Sequence, residues 1–442
     1  MKKAIALTAL AAASSAVFAQ ESSVTIYGIL DGGVSQVSGL KGGTRKDVIS
    51  GIMDGSRLGF KGNEDLGGGY RALFTLEHRL ELDTGDIKNR PFSGTQLPDR
   101  FSDPTLMGLS GLTAQLTAAL TPVQGAPVAA ATATGAVRGA VTNVGTGIAT
   151  NAFGVNPSGK FWDRQAYVGL VTPFGAFLAG RQYTPAFEVT ATYDTLATQS
   201  ALSIGQAGSF PPAMDLRFDN MVAYRIQLGG LSASVMAAPR EGSTTNGHFL
   251  GGMAMYRTDA WSAGLGYNSK ENELGQKSLT TTVLGASMGL GAGTGYVAVL
   301  KVKDDHPSGI SAIPAQVASG AAALGTTLAT ALGNGVGAAF VNAFKQDAQI
   351  NHVGYKYTAG PNVIYVAYSV LSDKLRDAET ASYGVAYTYS LSKRTSINAV
   401  ATHFNNKGLA QAAPGQAGFL GGVTASAGTD SNSFALGVRH SF

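Results

Sequence analysis

The feature of this chain that most constrains its fold is a two-residue alternation of apolar and polar side chains that recurs from Val24 onward. It runs in segments of about ten residues, with glycine-rich or polar turns between them. In the clearest segment, Tyr383 to Leu391, every second residue is Tyr, Val or Leu, and the residues between are small or hydroxylated. Because successive side chains of a strand point to opposite faces, each segment has one apolar and one polar face. Such segments are typical of a transmembrane β-barrel, although a soluble β-sandwich also alternates.

The lengths of the links between segments favour the barrel over the sandwich. Short links lie near residues 65–68, 172–175, 229, 259–260, 290–293, 358–361 and 390–393. Long or polar links alternate with them, near residues 38–54, 84–160, 184–216, 240–247, 270–277, 304–348, 372–380 and 406–431. These links predict an all-β fold, a 16-stranded antiparallel transmembrane β-barrel with both termini at the short-turn end. A barrel of this size leaves an aqueous channel.

The first nineteen residues have the pattern of a secretory leader. Lys2 and Lys3 precede an apolar core, and Val17-Phe18-Ala19 supplies a cleavage site. The apolar core is shorter than the roughly 20 residues that span a membrane. We therefore expect a signal peptide at residues 1–19 and a barrel at residues 20–442, with long external insertions near residues 84–160 and 304–348.

The two insertions contain long uncharged stretches, residues 104–137 and 316–344, that are rich in Ala, Gly and Thr. This composition does not favour membrane insertion, and no long segment of the chain shows helical periodicity with caps. We expect low-complexity external loops here. Residues 105–120 alternate weakly, which suggests a projecting hairpin.

Alternation also assigns charged residues to the inner face, because burying an arginine against lipid costs about 2–4 kcal/mol at mid-depth. On this basis the following residues point inward: Asp31, Arg57, Lys61, Arg71, Glu77, Arg79, Glu81, Arg217, Asp219, Arg225, Lys301, Lys303, Lys356 and Arg439. For Lys301, Lys303 and Lys356 we expect only a solvated wall.

The third long link predicts a charged constriction. Arg164 and Arg181 precede it, Arg217 follows it, and the acids Glu188, Asp194 and Asp215 lie within it. Charged groups at a narrow point set ionic selectivity, because an ion there has lost much of its hydration. A basic cluster opposite loop acids would create a transverse field across the pore.

Several stretches together resemble the general diffusion porins of Gram-negative bacteria, most closely the beta-proteobacterial branch. These stretches are SVTIYG from Ser23, SRLGFKGNEDLG from Ser56, RQAYVGL from Arg164, GRQY from Gly180, and a last strand that ends in Phe442. The resemblance implies a homotrimer with the third loop folded into each lumen. It implies a basic cluster of Arg57, Arg164 and Arg217 facing Asp194, and a role for Phe442 in recognition by the barrel-assembly machinery. The sequence departs from the pattern at Ile29, often a basic position, and near Gln199 or Ser200, where a second acid is common.

Other classes of function have less support. The six histidines form no recognisable catalytic or metal-binding arrangement, and no phosphate loop or dinucleotide motif is present. Cysteine is absent, and the net charge of +4, about +2 without the leader, is too small to indicate nucleic-acid binding. We predict no enzyme and no cofactor. We predict an outer-membrane channel for ions and small hydrophilic solutes. It is expected to contact membrane lipid and to have a weak preference for anions. A substrate-specific anion or phosphate channel and an adhesin built on a barrel remain as alternatives.

Overall fold

The computed structural model describes residues 22–197, 200–240, 247–416 and 420–442. The predicted leader at residues 1–19 and the loop position Gln199 lie outside the described residues.

Long antiparallel strands dominate the fold. In chain order they are β1 (Ser23–Leu40), β2 (Gly43–Ser50), β3 (Arg57–Gly67), β4 (Tyr70–Arg79), β5 (Gln165–Thr172), β6 (Gly175–Tyr183), β7 (Arg217–Leu228), β8 (Leu231–Ala238), β9 (Phe249–Arg257), β10 (Trp261–Glu271), β11 (Lys277–Leu290), β12 (Gly293–Asp304), β13 (Gln346–Ala359), β14 (Asn362–Asp373), β15 (Ala378–Ser390), β16 (Thr395–Gly408), β17 (Ala412–Gln416), β18 (Leu420–Val423) and β19 (Ser431–Ser441).

The strands close into a barrel through β1, which pairs with β19 on one side and with both β2 and β3 on the other. β2 pairs with the second half of β1 and β3 with its first half, so the two lie end to end as one barrel strand. β17 and β18 form a separate hairpin. Counted in this way, the described residues form the predicted closed barrel of sixteen antiparallel strands.

The two ends of the barrel differ as the sequence predicts. Seven short turns, at residues 68–69, 173–174, 229–230, 258–260, 291–292, 360–361 and 391–394, lie at the end that carries Ser23 and Phe442. The links at the other end include loop 2 (residues 80–164), loop 3 (residues 184–216), loop 6 (residues 305–345) and loop 8 (residues 409–430). The first link is shorter than expected, because β1 and β2 continue into a hairpin with its turn at residues 41–42.

The prediction of non-helical insertions is wrong. Loop 2 contains α1 (Ser110–Gln124) and α2 (Ala126–Asn151), loop 3 contains α3 (Pro185–Tyr193), and loop 6 contains α4 (Ile313–Gly320) and α5 (Thr326–Phe344). Residues 105–120 accordingly form no hairpin. The helices of loops 2 and 6 pack on one another around a shared apolar cluster that includes Leu116, Val137 and Phe340. None of the helices in the described ranges has the length and apolar character needed to cross a membrane.

Alternation of burial along the strands separates an outer face from an inner face. On β12, Val297 is 51% exposed, whereas its neighbours Ala298 and Leu300 are buried against loop 3. The outer face is therefore the exposed apolar one, and the inner face carries most of the charged side chains.

Lys301 and Lys303 lie on the outer face, contrary to the prediction. Each is exposed, and each alternates with a buried residue, Val302 or Asp304, on the inner side of β12. The sequence rule fails here because loop 3 covers this part of the inner wall, so the inner residues of β12 are apolar. Where a loop lies on the wall, polarity no longer marks the inner face.

Candidate functional site

Loop 3 crosses the inner face of the barrel and packs on the wall formed by β9 to β13. Pro185 is the first residue of α3. A backbone N–H at this position has no partner within the helix, so the missing N–H of proline costs no hydrogen bond. Phe187, Val189 and Tyr193 of this helix are buried against wall residues such as Leu300 and Val283.

Polar contacts fix the same loop to the wall at several points. The backbone N–H of Ala186 donates to Asn268 Oδ1 at 3.0 Å. Further along the loop, Thr195 Oγ1 lies 2.9 Å from His352 Nε2. A loop bonded through both its backbone and its side chains has a defined position on the inner face.

A second irregular segment, residues 51–56, lies between β2 and β3. The buried carboxylate of Asp31 on β1 holds it, because Asp31 Oδ2 accepts hydrogen bonds from the backbone N–H groups of Met53 at 2.8 Å and Asp54 at 2.7 Å. The backbone N–H of Asp31 in turn donates to Ser56 Oγ at 3.0 Å. These bonds place Asp54 and Gly55 at the inner face.

Asp54 joins two arginines from different strands. Arg57 donates from a terminal nitrogen to Asp54 Oδ1 at 2.8 Å, and Arg439 Nε lies 2.7 Å from Asp54 Oδ2. Arg57 Nε also donates to the carbonyl of Gly55 at 3.0 Å. Asp54 was not expected from the sequence, because it lies in a segment without alternation.

Arg164 and Glu77 form a buried ion pair beside this segment, with Arg164 Nε 2.5 Å from Glu77 Oε1. The hydroxyl of Tyr27 donates to the other oxygen of Glu77 at 3.1 Å. Arg79 is also buried and pairs with Glu81 at 2.9 Å. Each of these buried charges therefore has a partner of opposite sign, as burial requires.

Tyr183, the last residue of β6, links Arg164 to Arg217. Its hydroxyl oxygen accepts hydrogen bonds from Arg164 at 2.9 Å and from Arg217 at 3.1 Å. The Arg217 guanidinium carbon also lies 4.6 Å from the centre of the Tyr183 ring. Within the described ranges Arg217 forms no ion pair, although Arg57, Arg79 and Arg164 each do.

The predicted basic residues therefore fall into two groups. Arg57, Arg164 and Arg217 come together around Gly55 and Tyr183, where a Cβ atom on Gly55 would lie 3.5 Å from an Arg164 terminal nitrogen. Arg181 and Lys61 lie outside this cluster. Arg181 pairs with Asp219, which also binds Lys160, and the Lys61 ammonium lies 5.4 Å from the centre of the Tyr27 ring.

The three predicted loop acids have different surroundings. Glu188 binds Arg225 through two hydrogen bonds, of 2.9 and 2.6 Å, and Asp215 pairs with Lys270 at 3.1 Å. Asp194 is only 2% exposed, and its oxygens accept backbone N–H groups of loop 3. The structure thus places Asp194 inside the loop, away from the position facing the arginines that the resemblance implies.

Phe442, the last residue of the sequence, lies beside β1 where the barrel closes. Its backbone N–H and C=O both bond to Gly28 at 3.1 Å. The ring lies directly over this glycine, where a Cβ atom would approach the Phe442 ring to 2.5 Å. In the described part of the chain, no group of three or more His, Asp or Glu side chains is arranged to hold a metal ion.

The sequence matches the Gram-negative porin family over residues 6–409. The chain belongs to this porin family. As a porin it is an outer-membrane channel protein, and its barrel provides a route for passive diffusion across that membrane.

Individual relatives agree with this assignment. The porin is 24% identical over 462 aligned positions to outer membrane porin protein 32 of Delftia acidovorans, with all of both chains covered. Its fold is similar to that of an anion-selective porin from Comamonas acidovorans, with a TM-score of 0.65, 20% identity, and 96% of this chain and 100% of that chain covered. It is also similar to OmpT of Vibrio cholerae in its trimer form, with a TM-score of 0.54, 12% identity, and 95% and 99% of the two chains covered.

Proposed function

We propose that the inner face near loop 3 is the constriction of a water-filled channel that weakly prefers anions among ions and small hydrophilic solutes. The observation that carries this proposal is the arginine cluster itself. Arg57 and Arg164 have carboxylate partners, but among the described residues Arg217 is hydrogen-bonded only to the neutral hydroxyl of Tyr183. Arg217 therefore has no direct ion pair in the described part of the chain, and its charge is offset only in part by the nearby Asp163, which pairs with Arg79 at 3.3 Å.

Two lysines add further positive charge to the inner face. Lys61 and Lys356 each lie against a tyrosine ring, and neither takes part in an ion pair of the described residues. A positive wall raises the local concentration of anions and lowers that of cations. The similar Comamonas acidovorans structure is itself described as an anion-selective porin, which agrees with the proposal.

Reversal potentials in planar bilayers under a potassium chloride gradient test this proposal. The wild-type potential is expected to favour chloride, and Arg217→Ala is expected to lower the chloride preference. A unit charge about 8 Å from a passing ion is worth about 0.5 kcal/mol in water, so the permeability ratio should fall by roughly two-fold. The double variant Arg57→Ala with Arg164→Ala should shift permeability further toward cations.

Lys301→Ala is the matched control, because it removes a positive charge from the outer face of the same barrel. Its ion preference should equal that of the wild type. If Arg217→Ala and the double variant both keep the wild-type preference, the arginine cluster is not the filter.

We also propose a homotrimer, from the distribution of aromatic side chains on the outer face. Of the exposed Tyr and Trp residues of the described chain, only Tyr70 lies outside β9 to β15; the others are Tyr256, Trp261, Tyr357, Tyr368, Tyr383, Tyr387 and Tyr389. Tyr and Trp form girdles where a barrel meets lipid headgroups. The sector from β19 through β1 to β6, with exposed Val, Ile, Leu and Phe, therefore suits contact with neighbouring subunits. The similar OmpT structure is described in its trimer form, which supports the proposal of a homotrimer.

A further inference from the structure

The phenol of Tyr183 is a neutral group that joins two guanidinium groups of the arginine cluster. Its oxygen accepts a hydrogen bond from Arg164 at 2.9 Å and one from Arg217 at 3.1 Å. These two bonds use both acceptor sites of the hydroxyl oxygen. The proton of the hydroxyl remains, and no acceptor for it lies among the described residues that contact Tyr183.

Two groups also pack against the Tyr183 ring, so the ring has little freedom to turn. The ring of Phe187, on α3 of loop 3, stacks on one side with a centroid distance of 4.9 Å and an interplanar angle of 26°. The Arg217 guanidinium lies over the ring at 4.6 Å, in the geometry of a cation–π contact. Tyr183 thus joins the arginines to the loop that crosses the inner face.

Arg217 depends on this phenol more than Arg164 does. Arg164 keeps its ion pair with Glu77, whereas the hydroxyl of Tyr183 is the polar partner that Arg217 has in the described structure. Arg217 Nε is buried without a hydrogen-bond partner. Two like charges that share an acceptor are expected to move apart when it is removed, because Glu77 pairs directly with Arg164 and no carboxylate of the described residues forms an ion pair with Arg217.

We propose that Tyr183 is a positioning and selectivity-determining residue of the channel. Its oxygen holds Arg164 and Arg217 side by side, and its proton is free to donate to an anion passing between them and the lumen. This inference rests on the proposed anion preference, and it assigns part of that preference to a residue that carries no charge.

Tyr183→Phe tests the inference, since it removes the hydroxyl and keeps the ring on which Phe187 and Arg217 pack. We expect the chloride-to-potassium permeability ratio to fall by about two-fold, as for the loss of one hydrogen bond of modest strength. Tyr365→Phe is the matched control, because this inner-face tyrosine lies against Lys356 and contacts neither Arg164 nor Arg217. Circular dichroism should show a folded barrel for both variants, which separates an effect on selectivity from a failure to fold, although Tyr183→Phe should lower the thermal unfolding temperature because two guanidinium groups lose an acceptor.

The outcomes with Arg217→Ala distinguish the two proposals. If Arg217→Ala lowers the chloride preference and Tyr183→Phe leaves it at the wild-type value, the role of Tyr183 is overturned while the filter stands. If neither variant changes the preference, the filter and the role of Tyr183 are both overturned. An equal fall in Tyr183→Phe and Tyr365→Phe would also overturn the inference, since the effect would then be general to inner-face phenols.

Discussion

Glu188 and Asp194 belong to one loop, but their carboxylates do different work. Glu188 is at the inner face and binds the guanidinium of Arg225 through both oxygens. Asp194 points into loop 3, where Oδ1 accepts the N–H of Leu196 at 3.1 Å and Oδ2 that of Ile204 at 3.0 Å. The first carboxylate offsets a positive charge beside the pore, and the second shapes the loop backbone.

This difference predicts that two isosteric substitutions change different properties, ion selectivity in one case and stability in the other. Glu188→Gln should raise the chloride-to-potassium permeability ratio by about two-fold, because it leaves the charge of Arg225 unopposed. Asp194→Asn should leave the ratio unchanged and lower the free energy of unfolding by about 1–3 kcal/mol, because a buried N–H loses its acceptor. Bilayer recordings and urea unfolding measure the two effects. A selectivity change in Asp194→Asn as large as that in Glu188→Gln would instead place Asp194 at the pore.

The helical insertions and loop 3 are joined through a cluster of four phenylalanines. Phe210 of loop 3 lies at ring-centroid distances of 5.2 Å from Phe101 and 4.8 Å from Phe153 of loop 2. It also lies 5.7 Å from Phe344, the last residue of α5 in loop 6. Three loops that are far apart in the chain therefore share one contact above the inner face.

Ionic contacts next to this cluster hold the end of α5. Arg376 donates to the carbonyls of Ala343 and Lys345, each at 3.1 Å, where a cation is favoured by the helix dipole. Asp373 binds both Arg376 and Arg100, at 3.0 and 3.3 Å. Burial lowers the pKa of Arg100 to about 10, and the charge of Arg376 adds to this effect while Asp373 opposes it. Arg100 therefore remains protonated at neutral pH.

Phe210→Ala is expected to loosen the helical insertions without unfolding the barrel. A Phe to Ala change in a packed site typically costs about 3–5 kcal/mol, and here the cost falls on contacts between loops. Hydrogen exchange should become faster in α1, α2 and α5, and single-channel currents should show more frequent partial closures. Phe174→Ala, at an exposed short turn, is the matched control. Unchanged exchange in the helices would show that the cluster does not hold the loops together.

The sequence signal for these helices is present but unusual. The buried residues of α2 recur every fourth position as Ala129, Ala133, Val137, Val141, Gly145 and Ala149. This spacing is helical, but the stripe consists of small residues, and the helix has no acidic residue in its first turn and no basic residue in its last. A search for charged caps and large apolar residues therefore misses it. The pairings of Tyr183 and Asp54 could not be predicted either, since they depend on how separate irregular segments meet at the inner face.

At the scale of the whole molecule, local alternation was sufficient to predict the barrel. Every strand must cover one face with apolar residues, so strand number and the inequality of the two ends follow from segments and links alone. Arg57 and Arg439 both bind Asp54 at the inner face, whereas Lys301 and Lys303 lie on the outer face of β12. The alternation rule fails at these two lysines because of a long-range contact. Loop 3 packs on the inner side of β12, so the inner side chains of this strand are apolar and its lysines point outward.

The proposed subunit contact can be measured from lipid access to the outer face. Val168 on β5 and Val297 on β12 are both exposed, at 60% and 51%, and the chain contains no cysteine. A nitroxide label on Val297→Cys should collide freely with oxygen dissolved in the bilayer, and one on Val168→Cys should be shielded by a neighbouring subunit. Equal accessibility at the two sites would exclude this sector as the subunit contact.

The closure of the barrel through β1 and β19 has a consequence for how the protein is made. Asp31 of β1 lies opposite Arg439 of β19 in the sheet. The edge of β1 that bonds to β19 therefore has no partner until nearly the whole chain has been delivered. Until then both strands present open hydrogen-bonding edges and apolar faces, which favour aggregation in water. The contacts between loops 2 and 6 form across a similarly long separation, which slows folding. Survival of the chain on its way to the membrane therefore depends on being kept unfolded, and the rate-limiting event of its biogenesis should be the meeting of its two ends.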